Sequence, residues 1–220
     1  NGSGEFEIPG VSMPSGGLAI SLADIDNDND LDFITGSYDG KIYLNDGLGN
    51  FNPDHVEFGL EQTEFTYNLA IGDVDGDTDL DIVTGVFQGI NNLFLNNGDG
   101  SFNTTPVPIG SLQNRTTGVD LADVDGDGDL DLIEGGIGEI NLLFLNDGSG
   151  GFSGTGAPIG TETGASYQIE LGDVDGDDDL DFIATNGTEQ KLYYNDGSGG
   201  FSNTATFIGT KSKDIAYSTH

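Results

Sequence analysis

The sequence predicts an all-β fold assembled from a repeated unit of four short antiparallel strands. Three observations predict it. The chain is self-similar at a period of about 50 residues. Its apolar residues alternate with a period of two rather than 3.6. Turn formers punctuate it at even intervals, with 37 Gly among 220 residues. Nothing in the pattern reads as a helix longer than a turn.

The repeat is defined by two signatures. Asp-rich stretches begin at Asp24, Asp73, Asp123 and Asp173, which are 49, 50 and 50 residues apart. Each is followed by a Gly-rich turn: "NDGLGNF" from Asn45, "NNGDGSF" from Asn96, and "NDGSGGF" from Asn146 and again from Asn195. The first residues, "NGSGEF", read as a shortened fifth copy of that turn. The chain is therefore taken as one repeat domain, 1–220, with units at roughly 1–44, 45–95, 96–145, 146–194 and a partial 195–220. "EFEIPG" near the start reads as a unit's last strand and "KDIAYS" near the end as a first strand. Three explanations fit the half-units: part of a longer protein, a small closed particle with unusual end strands, or a protomer completing a neighbour's sheet.

Each unit opens with a short alternating run: "AISLAD", "NLAIGD", "GVDLAD" or "QIELGD". The pairs Ile20/Leu22, Leu69/Ile71, Val119/Leu121 and Ile169/Leu171 predict a strand with one buried face. After the Asp-rich stretch come "LDFITGS", "LDIVTGV", "LDLIEGG" and "LDFIATN", rich in β-branched and aromatic residues. A third strand is predicted at "KIYLN", "NLFLN", "NLLFLN" and "KLYYN", ended by turn residues suited to a hairpin. A fourth is expected to start at Phe51, Phe102, Phe152 and Phe201. Four antiparallel strands per unit, repeated, describe the blade of a β-propeller.

The Asp-rich stretches carry the chemistry. Positions 1, 3, 5 and 9 are Asp24, Asp26, Asp28 and Asp32 in the first. They are Asp73, Asp75, Asp77 and Asp81 in the second, and Asp123, Asp125, Asp127 and Asp131 in the third. In the fourth they are Asp173, Asp175, Asp177 and Asp181. Alternate side chains in a tight loop converge on one point, and the carbonyl of position 7 (Asp30, Asp79, Asp129 or Asp179) can add an oxygen. An all-oxygen, carboxylate-rich cage suits Ca²⁺, whereas Zn²⁺ and Cu²⁺ favour His or Cys. Mg²⁺ demands stricter octahedral geometry and is second choice. Small or turn-prone residues at position 4 (Asn27, Gly76, Gly126, Gly176) let the loop curl; position 6 is less uniform, with Asn29, Thr78, Gly128 and Asp178. The alternate positions 1, 3, 5, 7 and 9 of the loops hold 20 of the 39 acidic residues, against 5 basic ones in the chain. About four Ca²⁺, one per complete repeat, would move the formal charge from −34 to −26. Metal binding would then contribute directly to folding.

"DVDGDGDLD", a strand, then "NDGSGGF" resembles the FG-GAP/VCBS repeat family, the calcium-binding propeller blades of integrin α-subunit heads, fungal and bacterial lectins and many bacterial surface proteins. The likeness covers essentially the whole chain. It implies a metal loop between a blade's first and second strands, with the sixteen Asp side chains and four position-7 carbonyls as ligands. It also implies an extracellular or cell-surface setting and a role in recognition or scaffolding. Where the integrin form commonly has Gly after the third Asp, this chain has Asn29, Thr78, Gly128 and Asp178. The family's propellers usually have about seven blades, and here four complete units are legible.

The charge balance argues against nucleic acid or membrane insertion as partners, since both call for basic or long apolar stretches. No Gly-x-Ser-x-Gly, HExxH or phosphate-cradling Gly-Lys-Ser/Thr motif occurs, and the paired carboxylates are better read as metal ligands than as acid/base pairs. A non-enzymatic role is expected. Between repeats, Tyr67, Phe87, Arg115 and Tyr167 are the residues placed to stack on or hydrogen-bond a sugar. Asp120 and Glu170 on the leading strands are placed to line a central channel. Two readings follow. The first is an extracellular calcium-braced structural or adhesive module, with a protein or glycan partner and assembly through its incomplete ends. The alternative is a carbohydrate-binding lectin with pockets between blades.

Overall fold

The computed structural model describes residues 19–58, 65–103, 105–152 and 154–208. The predicted end strands in "EFEIPG" and "KDIAYS" lie outside them. The described chain forms β1 (Ala19–Ala23), β2 (Asp32–Gly36), β3 (Gly40–Tyr43), β4 (Val56–Phe58), β5 (Phe65–Gly72), β6 (Asp81–Phe94) and β7 (Val107–Ala122). It continues with β8 (Asp131–Phe144), β9 (Ala157–Ala165), β10 (Gln168–Gly172), β11 (Asp181–Thr185), β12 (Gln190–Tyr193) and β13 (Thr206–Ile208). The fold is all-β and antiparallel, with no helix among the described residues.

The first and last units are four-stranded sheets, ordered β1-β2-β3-β4 and β10-β11-β12-β13. The two middle units differ from the expected separate blades, because they share one sheet ordered β5-β6-β7-β8-β9. Two features join them. β7 runs unbroken from pairing with β6 at Val107–Ile109 to pairing with β8 at Thr116–Ala122, so it is the last strand of one unit and the first of the next. β6 holds two predicted strands in one 14-residue element that doubles back. Extended, Thr84 and Asn92 would lie roughly 26 Å apart, yet the Thr84 hydroxyl donates to the Asn92 carbonyl at 3.4 Å and the Val86 N–H to Asn91 Oδ1 at 2.8 Å. The reversal sits beside Gln88, at φ 63. The connection "FQGINN" is so short that pairing continues up to it.

A second correction concerns the fourth strands. Phe51 and Phe102 form only single bridges, to Asn45 and Asn96, which close the Gly-rich turns. The strands themselves begin at Val56, Val107, Ala157 and Thr206. Pro, Gly and Asn in "NPDH" and "SGTG" delay entry into the sheet.

The core lies between successive units. Ile25, Ile34, Ile42 and Phe58 of the first pack on Ile82 and Phe94 of the second, with the Phe58 and Phe94 rings 5.4 Å apart edge to face. Val74, Val83 and Leu93 meet Val119, Leu132 and Phe144. Val124, Ile133, Leu143 and Ile159 meet Phe182 and Tyr193. Each inner unit therefore buries both faces of its sheet, one against its predecessor and one against its successor. The single buried face expected from Ile20 and Leu22 is also corrected: they are 67% and 58% exposed, while Ala19 and Ala23 are buried. Among the described residues, the first unit has no predecessor to cover that side.

Candidate metal centre

Each Asp-rich loop connects a unit's leading strand to its second: β1 to β2, β5 to β6, β7 to β8 and β10 to β11. The curl comes from two left-handed residues, at positions 4 and 6. Position 4 has φ 61 at Asn27 and 77 to 85 at Gly76, Gly126 and Gly176. Position 6 has φ 72 at Asn29, 79 at Thr78, 98 at Gly128 and 72 at Asp178. The reading of position 6 as less uniform misses this shared conformation. Thr78 is the strained case, since a β-branched residue rarely adopts positive φ.

The carboxylates then divide the work. Position 1 holds the curl: Asp73 accepts the N–H groups of Gly76, Asp77 and Thr78 at 2.9, 3.1 and 3.0 Å, and Asp24, Asp123 and Asp173 each make two of the three corresponding bonds. Position 5 accepts the position-7 N–H at 2.9 to 3.1 Å: Asp28 from Asp30, Asp77 from Asp79, Asp127 from Asp129, and Asp177 from Asp179. Position 9 is buried. Asp81 accepts from Val74 N–H and Asn96 N–H, both at 2.9 Å. Asp32, Asp131 and Asp181 repeat that clamp, tying the Asp loop to the Gly-rich turn of the same unit.

Four clusters result, one per repeat, each with carboxylate oxygens within 4.8 Å of one another. They are Asp24/Asp26/Asp32, Asp73/Asp75/Asp81, Asp123/Asp125/Asp127 and Asp173/Asp175/Asp181. Positions 1 and 3 meet in all four; position 9 completes three clusters and position 5 the third. The position-7 side chains of Asp30, Asp79, Asp129 and Asp179 lie elsewhere, packed so closely under the Gly-rich turn that a Cβ at Gly47, Gly98, Gly148 or Gly197 would strike them.

The donor set fits a hard cation. Asp26 Oδ1 and Asp75 Oδ1 are buried without a hydrogen-bond partner, so each presents a bare oxygen to its cluster. Burial, then the neighbouring carboxylates, raises the pKa of Asp26, Asp75, Asp125 and Asp175 above the ordinary value. Burial pushes Asp81 and Asp131 up to about 6. Such clusters are held against mutual repulsion, which a divalent cation would reverse.

The Gly-rich turns do more than end a hairpin. Asn96 Nδ2 donates to its own unit's Leu80 carbonyl at 3.1 Å and to the Ile25 carbonyl of the preceding Asp loop at 2.8 Å. Asn146 reaches Val74 O at 2.7 Å and Asn195 reaches Val124 O at 2.8 Å in the same way. Each turn therefore caps the preceding loop, with Gly100 close against Asp26 and Ile25. Sequence reasoning missed this lock. Its only signal is the recurrence of Asn at the head of every second signature.

Of the four candidate sugar-contacting residues, three are brought together. The Tyr67 and Phe87 rings are 5.7 Å apart, and Phe87 stands opposite Arg115 in the β6–β7 pairing. Phe65 and Tyr38 extend the row, at 5.8 Å from Tyr67 and 5.1 Å from Phe65 respectively. Tyr167 is two repeats away and 46% exposed, with its N–H on the Thr185 carbonyl. Asp120 and Glu170 face each other closely enough that burial, then the Glu170 charge, raises the pKa of Asp120. Glu170 also lines a cavity of about 290 Å³ with Asn68, Val119, Gln168 and Thr185.

The sequence model of FG-GAP-like repeats matches residues 24–84 and again 73–134, which covers the first three Asp loops and just over half the chain. The chain belongs to the FG-GAP-like repeat family. Among curated proteins, no relative matches the sequence. Among solved structures, this FG-GAP-like chain is similar to an Agrocybe aegerita lectin that recognises non-reducing terminal N-acetylglucosamine. The two share 23% identity over 84% of this chain and 50% of that one, with a TM-score of 0.59. It is also similar to BBS1N, solved in complex with ARL6DN, at 10% identity over 91% of this chain and 60% of that one, TM-score 0.58. The FG-GAP-like chain thus spans half to three fifths of the length of these chains.

Proposed function

We propose that this chain is a calcium-binding β-propeller segment serving as a structural or adhesive module outside the cell, without catalytic activity. The observation that carries the reading is the recurrence of one acidic cage in every repeat, with a bare buried oxygen at Asp26 and at Asp75. In each loop the side chains at positions 1, 3, 5 and 9 and the position-7 carbonyl would hold the ion. All are oxygen donors, which suits Ca²⁺ above Zn²⁺ or Cu²⁺. Bound calcium supplies positive charge that cancels the repulsion among these carboxylates. The chain's own share is to hold the loop curled through the position-1 bonds and fastened to the core through position 9. The four repeat units are the blades in this reading, the two middle ones sharing a sheet, and their partners are a protein or glycan at a cell surface or in a matrix.

Isothermal titration with calcium against chelated protein tests this directly. Uptake of about four ions, abolished locally by Asp75→Asn, is the expected result. No uptake at millimolar calcium would overturn it.

A second reading, a glycan-binding lectin, is favoured by one observation: the partly exposed row Tyr38, Phe65, Tyr67 and Phe87 beside Arg115. Aromatic faces flanked by a guanidinium suit the apolar face and hydroxyls of a sugar. The likeness to a lectin supports it at the level of fold. A glycan array in saturating calcium, repeated with Tyr67→Ala, separates the two readings. Binding lost in the variant favours the lectin, and a blank array leaves the scaffold.

A further inference from the structure

At each junction between successive units, a single carboxamide spans two Asp loops. Asn146 Nδ2 donates at 3.1 Å to the Leu130 carbonyl, at position 8 of its own unit's loop, and at 2.7 Å to the Val74 carbonyl, at position 2 of the preceding loop. Its backbone N–H goes to Asp131 Oδ1 at 2.9 Å, and its Oδ1 accepts the Gly148 N–H at 3.2 Å. The residue is 7% exposed and both ends of its amide are engaged, which leaves one orientation that satisfies it. Asn96 makes the same bonds with Leu80, Ile25, Asp81 and Gly98. Asn195 makes them with Leu180, Val124, Asp181 and Gly197. The bonded carbonyls sit among the cage residues: Val74 stands between Asp73 and Asp75, and Leu130 between Asp129 and Asp131. The turns also lean on the preceding loop, since a Cβ at Gly100, Gly150 or Gly199 would stand 3.2, 3.7 or 3.5 Å from the Cβ of Asp26, Asp75 or Asp125. The first junction adds a direct tie, with Asn27 Nδ2 donating to Asp79 Oδ1 at 2.7 Å.

We infer that the four cation sites are a coupled row, with Asn96, Asn146 and Asn195 as the positioning residues that transmit binding from each loop to its neighbour. The inference rests on the calcium reading above. Without a cation, the carboxylates of a loop repel one another and resist being held together. Binding that orders them also fixes the backbone between them, including the carbonyls at positions 2 and 8. Number the loops 1 to 4 from 24–32, 73–81, 123–131 and 173–181. An ordered loop 3 seats Asn146 through Asp131 and the Leu130 carbonyl, and the seated carboxamide then holds the Val74 carbonyl of loop 2 in place. The ordering cost of the turn is thus met once for two loops, so the second ion binds more readily than the first. By linkage the effect is reciprocal, and loop 2 favours loop 3 by the same factor. It passes between neighbours, because each carboxamide joins the carbonyls of two adjacent loops.

Hydrogen exchange read by mass spectrometry on the full chain, across a calcium titration, gives each loop its own midpoint. Asp125→Asn disables loop 3 and leaves Asn146 and Asp131 in place. It should raise the midpoints of loops 2 and 4 by about fivefold or more, with loop 1 moving least. In an Asn146→Ala background, Asp125→Asn should leave loop 2 unmoved and still shift loop 4, since Asn195 continues to join loops 3 and 4. A general loss of stability would move both loops together, so the split between them identifies a positioning role. If Asn146→Ala does not fold, Asp175→Asn read on loop 3, with and without Asn195→Ala, runs the same cycle at the last junction. The inference is overturned by a loop 2 midpoint that Asp125→Asn leaves unmoved, by an equal shift in every remaining loop, or by a loop 2 shift that survives Asn146→Ala. A wild type that takes up no calcium removes the metal reading and the coupling with it, whereas ions bound at independent midpoints remove the coupling alone.

Discussion

The pentapeptide Asp-Val-Asp-Gly-Asp occurs three times, from Asp73, Asp123 and Asp173, and its valines do not share a fate. Val74 and Val124 are each 2% exposed, while Val174 is 49% exposed. The local geometry hardly differs: in all three the first Asp accepts N–H groups from the curl and the ninth accepts the valine's own N–H. What differs is the following unit. Val74 and Val124 lie under a Gly-rich turn whose Asn takes their carbonyl, and no described residue does this for Val174. The curl of the loop is therefore a property of its own residues, and its burial a property of the neighbour.

On the proposed calcium reading, chelation should have the largest effect, because it acts on all four loops at once. At tenfold excess over its dissociation constant, each site adds about 1.4 kcal/mol, so four sites add roughly 6 kcal/mol. Excess chelator should lower the melting temperature well beyond any single substitution, and a melting curve indifferent to chelator would remove the basis of the comparison. The metal-free protein has a pH axis as well. Asp81 and Asp131 sit near 6 in the folded chain against 3.8 for an ordinary Asp. The folded state thus keeps protons that the unfolded chain releases. The stabilisation is fully present below about pH 4 and lost as pH rises through about 6. Melting of the chelated protein should fall across that window, while calcium uptake should strengthen. A flat profile in chelator would count against the burial of these two groups.

Next is the inter-unit lock. Asn146→Ala removes bonds to two carbonyls and leaves Val74 O buried without its donor, a loss of roughly 2–3 kcal/mol. Asn45→Ala lacks the cross-unit bond and should cost about 1 kcal/mol. Equal losses in urea unfolding would mean that the cross-unit bond contributes nothing.

The valines give a sharper version of the same contrast. Val124→Ala should cost about 2 kcal/mol through lost burial. Val174→Ala should stay within about 0.5 kcal/mol, as surface substitutions do. A similar cost at both would indicate that Val174 is covered in solution, which chemical denaturation with and without dilution would reveal.

A gain rather than a loss is expected at Thr78. Its φ of 79 matches a position that Gly128 fills in the next loop. Thr78→Gly should relieve strain and raise stability by about 1 kcal/mol. A loss, measured by thermal melting, would show that the threonine side chain makes a compensating contact.

Much of the site was legible in sequence because its chemistry is local. Alternating Asp with turn residues between two apolar strands leaves few conformations that place these carboxylates together, and positions 1 and 3 converge as expected. The division of labour among them was not legible. Position 9 reads as one more ligand, and it belongs to three of the clusters, but it is also the buried clamp to the Gly-rich turn, a role set by a residue 13 to 15 positions further on. Position 7 looks like another acid in line, and its side chain is packed under a glycine of that turn. The burial of Ile20 and Leu22 was misjudged for a related reason. An alternating pattern states which side chains share a face, and a face is buried only if something lies against it.

The sequence by itself determined the 50-residue repeat, and it determined the strand periodicity, the curl of the Asp loops and their all-oxygen donor set because each of these follows from residues within about ten positions of one another. Only the tertiary structure decided which sheets merge, which face of each unit is covered, and that Asn96, Asn146 and Asn195 fasten one unit to the loop before it. The Asn locks depend on hydrogen bonds between residues about 70 positions apart. Spacing along the chain carries no direct record of such contacts, since a turn residue's second hydrogen-bond partner is set by how neighbouring sheets stack.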